Sequence, residues 1–341
     1  MVRKKISYAI CLLSLSAILF CGCSGDQKEP NDSFPGKTDS DFASSKNAAQ
    51  DSPNQEPNAS NEEASKSGPP RDNAPQALRP EASGTAAYGN DLVTVDASHA
   101  DNGYFMVRYQ GENPKVKLKV TGPNQSEYIY LLSGSGEFET FPLPCGSGGY
   151  QIQVLENAGG DMYATAFSTE ISAAIEDEFS PFLYPNQYVN FTESSLAVAK
   201  GSELAEGVYS DLEAIENIYH FVTEEITYDE EKAESVSYGY LPDIDETLSS
   251  KKGICFDYAS LMCAMLRTQR IPTKLEVGYS GEAYHAWISA YTAEKGWVDG
   301  IIQFDGKSWK LLDPTLAANN SSSSVKKYIG DASNYVVKYS Y

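Results

Sequence analysis

From Phe256 to Arg267 the chain reads FDYASLMCAMLR, and its apolar residues fall on nearly every side of a 3.6-residue wheel. A helix that is apolar all round has to be enclosed, so a domain must be built around this one. The preceding Ser249-Ser250-Lys251-Lys252-Gly253 is loop-like, which sets Cys255 at the helix N-terminus. Unpaired amides and the helix macrodipole there favour a thiolate over a thiol. By position alone, Cys255 reads either as a nucleophile or as a structural core cysteine.

Two later stretches shift that balance toward a nucleophile. The chain has three histidines, and His285 opens the apolar run His285 to Tyr291, which reads as a strand. Trp309 to Leu312 has the same character and is followed by Asp313-Pro314-Thr315. Cysteine at a helix start, histidine on one strand and aspartate at the end of another would build a thiol triad if the strands are neighbours. The ordered set G-x-C-x-D-Y-A (253–259), H-A-W (285–287) and D-P-T (313–315) resembles the transglutaminase-like superfamily of papain-type fold, over roughly the C-terminal half of the chain. The resemblance implies an α+β core in which Cys255, His285 and Asp313 are the catalytic residues. The interval from histidine to aspartate is longer here than the family pattern often shows. Gly296 to Asp305 reads as an additional strand, and Asp299 and Asp305 compete with Asp313 for the third place. Asp313 is preferred because Pro314 fixes the chain beyond it and the D-P-T motif matches.

The N-terminus carries an address. Arg3, Lys4 and Lys5 precede an apolar run from Ile6 to Phe20, the length of a signal peptide rather than of a mature span. Phe20-Cys21-Gly22-Cys23-Ser24 looks like a bacterial lipobox, and Cys23, with Gly22 before it, fits better than Cys21. The expectation is a lipoprotein signal peptide over residues 1–22, lipid on Cys23, and export to the outer face of a bacterial cytoplasmic membrane at the cell surface. The alternatives are a secreted protein without lipid and an uncleaved anchor. Residues 23–87, rich in Ser, Asn, Asp, Glu, Pro and Gly, read as a disordered tether with a root-mean-square reach of roughly 45 Å.

The chain has 47 acidic and 26 basic residues, for a formal charge of -21, which argues against nucleic acid as a partner. Six cysteines, two of them in the signal and one lipidated, leave Cys145, Cys255 and Cys263, too few for a disulfide scaffold. Cys263 reads as core filler and Cys145 as a loop or strand-end thiol. With no CxxC pair, HExxH or EF-hand-like loop, no metal site and no cofactor is expected.

Between residues 88 and 176 the period changes to two. Val116, Leu118 and Val120 alternate with lysines, and Tyr150, Ile152 and Val154 with glutamines. Short strands at this spacing predict an all-β sandwich of immunoglobulin or fibronectin-III character. The resemblance implies a transglutaminase-like domain over residues 177–341, where Ser210 to Glu213 reads as a capping box and Leu212, Ile215, Tyr219, Val222 and Ile226 predict a helix from about Asp211 to Glu225. His220 lies off that apolar stripe as a surface residue. Tyr228 follows the helix and either contributes to an oxyanion pocket or closes the core; Trp287 is the other candidate pocket residue.

These residues would support acyl transfer: His285 keeps Cys255 as thiolate, Asp313 orients the imidazole, and the sulfur attacks an amide carbonyl. The acceptor decides the name. Water makes a protease or amidase, and a primary amine makes a transglutaminase, with protein or cell-wall peptide as substrate. The reading from another class is a non-catalytic surface binding module on the same scaffold. Oligomeric state is not legible.

Overall fold

The structure is a computed structural model that describes residues 68–280, 283–298, 302–304, 309–311 and 335–341. The expected signal peptide, Cys23 and the first two-thirds of the expected tether lie outside the described residues.

The first part of the described chain is strand. β1 (Ala87–Gly89), β2 (Val93–Asp96), β3 (Tyr104–Tyr109), β4 (Val116–Thr121), β5 (Glu127–Leu131), β6 (Glu139–Pro142), β7 (Gly148–Gly159) and β8 (Met162–Ala173) form two four-stranded sheets. Their orders are β1-β2-β3-β6 and β5-β4-β7-β8, with every pairing antiparallel. The period-two pattern is the cause: Val116, Leu118 and Val120 are buried while Lys117 and Lys119 between them are half-exposed. In register, Leu118 faces Tyr130 on one neighbour and Val154 on the other. The sheets meet where Tyr130 stands edge-on to Phe141, ring centroids 4.8 Å apart. At the start of β7 the Tyr150 hydroxyl donates back to the Gly146 carbonyl at 2.7 Å.

The second part is mixed. α1 (Leu196–Leu204), α2 (Asp211–Glu225), β9 (Thr227–Tyr228), α3 (Glu230–Ser235), α4 (Ile244–Ser250), β10 (Lys252–Gly253) and α5 (Cys255–Thr268) precede β11 (Thr273–Ser280), β12 (Ala283–Thr292), β13 (Gly296–Val298), β14 (Ile302–Phe304), β15 (Trp309–Leu311) and β16 (Tyr335–Ser340). Helix α2 occupies the predicted span, its Ser210 hydroxyl accepting from the Glu213 N–H at 3.2 Å. All fourteen residues of α5 are buried, as its all-round apolar wheel requires. Helices α1, α2 and α4 and strands β11 and β12 enclose it.

The main sheet runs β13-β12-β11-β16 and is antiparallel throughout, while β14 and β15 form a separate pair. Strand β16 was not foreseen. Val336 and Val337 are both exposed on this edge strand, so no alternation marks it in the sequence.

Buried Arg267 is the staple of this half. Its guanidinium donates to three backbone carbonyls: Thr273 at 3.0 Å, Tyr184 at 2.7 Å and Tyr341 at 2.7 Å. The α5 helix, the aromatic connector before α1, the start of β11 and the C-terminal residue are thereby joined. An aromatic seam links the two halves, with Tyr130 of β5 stacked on Tyr188 (5.6 Å) and Tyr188 against Phe256 (5.4 Å).

One expectation is corrected. The last part of the predicted tether, residues 68–86, is laid along the fold rather than left as a coil. The Arg71 N–H bonds the Val208 carbonyl at 2.7 Å, the Arg71 side chain pairs with Asp211 at 2.6 Å, and the Gln76 N–H reaches the Thr268 carbonyl at 2.8 Å. Polar side chains and backbone groups hold this segment, so a forecast made from missing apolar residues overlooked it.

Candidate active site

Three constraints place Cys255 at the first turn of α5. At Gly253 a Cβ would lie 2.7 Å from the Cβ of Asp257, so the close turn before the helix admits only glycine. Strand β10 pairs in parallel with β9, setting Tyr228 opposite Gly253, and the Asp229 N–H donates to the Gly253 carbonyl at 2.9 Å. Asp257, at the third helical position, accepts the N-cap Ile254 N–H at 2.8 Å, which satisfies one of the orphan donors of the helix start.

The sulfur lies at the junction of helix and sheet. The backbone amides of Ala286, Phe256 and Cys255 itself lie near enough to favour its ionised form. Ala286 follows His285 on β12, so the nucleophile candidate abuts the histidine strand. His285 is 8% exposed, and its Nε2 has no hydrogen-bond partner among the described residues. The imidazole is stacked on Trp287, centroids 6.3 Å apart and planes 23° apart. The Trp287 indole N–H donates to Glu276 at 2.7 Å, and the Ser289 hydroxyl to the same carboxylate oxygen at 2.8 Å. Trp287 is therefore a wall behind the imidazole, held from the neighbouring strand β11. Burial, and next the nearby Cys255, push the Tyr228 phenol up, and the ring belongs to the strand paired with the residues just before Cys255.

The charge state differs from the expected thiolate–imidazolium pair. Burial pushes the Cys255 thiol up to about 12, with Asp257 adding to the rise, although the Ala286, Phe256 and Cys255 amides oppose it. Burial alone holds His285 down at about 4. Desolvation disfavours both ions and exceeds what the helix terminus supplies, so the resting pair is thiol and neutral imidazole.

The structure thus sets Cys255 and His285 on packed neighbouring elements, α5 and β12, with Tyr228 on β9 near Cys255 and Trp287 beside the imidazole. Asp313 and its competitors Asp299 and Asp305 lie outside the described residues. Cys263 is enclosed in α5, Cys145 is half-buried in a loop of the sandwich, and His220 is exposed beside Glu224 at 3.4 Å. Sequence reasoning quoted Asp257 within its motif without giving it a role, and passed over Lys232, Tyr240 and Glu276. Asp257 was legible, since a carboxylate three residues past a helix start is a capping signal; the other three partner across chain distances that no local pattern reveals.

Residues 199–300 match the family model of the transglutaminase-like superfamily, so the chain carries a transglutaminase-like domain. Similar solved structures include a candidate cysteine protease from Cytophaga hutchinsonii, 14% identical, with a TM-score of 0.35 over 78% of this chain and 74% of that one. A candidate protease from Parabacteroides distasonis is 10% identical, with a TM-score of 0.28 over 65% of this chain and 63% of that one. Red sea bream transglutaminase is 13% identical, with a TM-score of 0.23 over 63% of this chain and 48% of that one. No curated protein matches the chain.

Proposed function

We propose that this protein is an exported thiol acyl-transfer enzyme, anchored through lipid on Cys23 at the bacterial cell surface and acting on amides of protein or cell-wall peptide. The observation that carries the reading is the seating of Cys255 at a helix start, on the helix that packs against the strand bearing His285. In the proposed reaction the imidazole takes the thiol proton as the sulfur bonds to the amide carbon. The oxyanion is received by the Cys255 backbone N–H, a donor worth about 3 kcal/mol in such sites, and Tyr228 is the candidate second donor. Collapse breaks the C–N bond, the imidazolium returns its proton to the leaving amine, and a thioester on Cys255 remains. Water or a primary amine then takes the acyl group. Asp313 is assigned the orienting role on the second ring nitrogen of His285.

We read the preceding sandwich as immunoglobulin or fibronectin-III-like, on its strand order and on the Tyr150 hydroxyl bonded back to Gly146. Its role would be to space and orient the catalytic part. A second reading, a non-catalytic surface binding module, is favoured by the near-complete burial of Cys255, at 1% exposure. The deciding experiment incubates the protein with a library of glutamine-containing peptides, with and without a labelled amine, and searches for an acyl adduct on Cys255 by mass spectrometry. A thioester lost in His285→Ala supports the enzyme, and amine incorporation identifies a cross-linker. Absence of adduct and of product in both arms would leave the binding module.

A further inference from the structure

The carboxylate of Asp257 is wholly buried two residues from Cys255, and its hydrogen bonds converge from three places. Oδ2 accepts the Ile254 N–H at 2.8 Å and the Lys232 ammonium at 2.7 Å, and Oδ1 accepts the Tyr240 hydroxyl at 2.5 Å. Lys232 comes from α3 and Tyr240 from the α3–α4 loop, where the ammonium also bonds the Tyr240 hydroxyl at 2.6 Å and stands 4.4 Å from its ring centroid. A capping aspartate needs only the first of these contacts. The other two are unusual at a nucleophile, because a buried negative charge beside a sulfur opposes ionisation of the thiol.

We propose that Lys232 and Tyr240 are positioning residues for Cys255: acting through Asp257, they offset its buried charge and lock the first turn of α5. The inference rests on Cys255 being the nucleophile of the reading above. The other titratable group near the sulfur among the described residues is Tyr228 on β9, with His285 on the packed strand β12; Asp257 is the carboxylate whose nearness disfavours the thiolate, and Lys232 is the cation paired with it. A purely structural network and a charge-setting one make opposite forecasts. If the network only holds the fold, loss of either partner loosens the first turn and moves Cys255 reactivity in one direction. If it sets the charge, Asp257→Asn favours the thiolate and Lys232→Met disfavours it.

The test is the rate of iodoacetamide modification of Cys255 in the folded chain at fixed near-neutral pH, followed by peptide mass spectrometry with Cys263 as internal control. One pKa unit changes the thiolate fraction about tenfold, and the accompanying change in nucleophilicity leaves about a threefold change in rate. The expectation is about threefold faster for Asp257→Asn, about threefold slower for Lys232→Met and little change for Lys232→Arg. Movement of the first two in the same direction, or neither beyond about 1.5-fold, overturns the proposal. If Lys232→Met loosens the helix, modification of Cys263 will reveal it, and Tyr240→Phe then decides. That variant should slow Cys255 with Cys263 still protected, and an unchanged rate sinks the idea. No turnover enters these measurements, so they fail or succeed separately from the amide chemistry, which the His285→Ala adduct experiment tests.

Discussion

His285 should act as a stability sensor for pH, and its burial sets the size of the effect. The folded chain holds the imidazole at about 4, against an ordinary value of 6.5, because the ring is buried. The unfolded chain takes up a proton on this ring below about pH 6.5, whereas the folded chain does so only near pH 4. The folded-state value is depressed, so the contribution is fully present above the unfolded value and is lost as pH falls toward the folded one. Between about pH 7.5 and about pH 5 the linkage removes about 2 kcal/mol. In His285→Asn this contribution vanishes while the carboxylates titrate as before, so the wild-type minus variant difference isolates it. Urea unfolding of both proteins at the two pH values, extrapolated linearly to water, provides the measurement. The stability difference should shift against wild type by about 2 kcal/mol on acidification. A difference constant to within about 0.5 kcal/mol would mean that the ring is solvated and that burial does not keep it neutral in mild acid.

Two further outcomes follow from the packing. Arg267→Met removes three charge-assisted hydrogen bonds and strands the carbonyls of Thr273, Tyr184 and Tyr341 in the interior, so urea unfolding should show a loss of about 3–5 kcal/mol. A loss under about 1 kcal/mol would show that these carbonyls find other donors. Gly253→Ala drives a methyl into Asp257 and should lower stability by about 1–3 kcal/mol, with faster iodoacetamide modification of Cys255 as the first turn is displaced. An unchanged melting temperature and unchanged modification would refute the close-turn account.

Some of this protein was legible in its residues because the relevant physics is local. The apolar wheel of α5, the period-two strands β4 and β7 and the Ser210 cap of α2 each follow from spacing along a few consecutive residues, and each appears where the spacing puts it. Cysteine at a helix start with histidine on a later strand was legible as an order of motifs. Strand β16 was not, because an edge strand exposed at Val336 and Val337 carries no alternation, and its pairing with β11 joins segments well separated along the chain. The docking of residues 68–86 was hidden for a related reason, since hydrogen bonds to distant backbone groups leave no mark on composition.

The tertiary structure also decided what local pattern could only misjudge at the site. A helix terminus read by itself favours a thiolate, yet burial withdraws water from both Cys255 and His285, and the desolvation of two ions exceeds one dipole. The same enclosure brings Lys232 and Tyr240 onto Asp257, and Glu276 onto Trp287. Residue order determined which side chains were available for chemistry. Burial, which depends on all the neighbours at once, determined their charge.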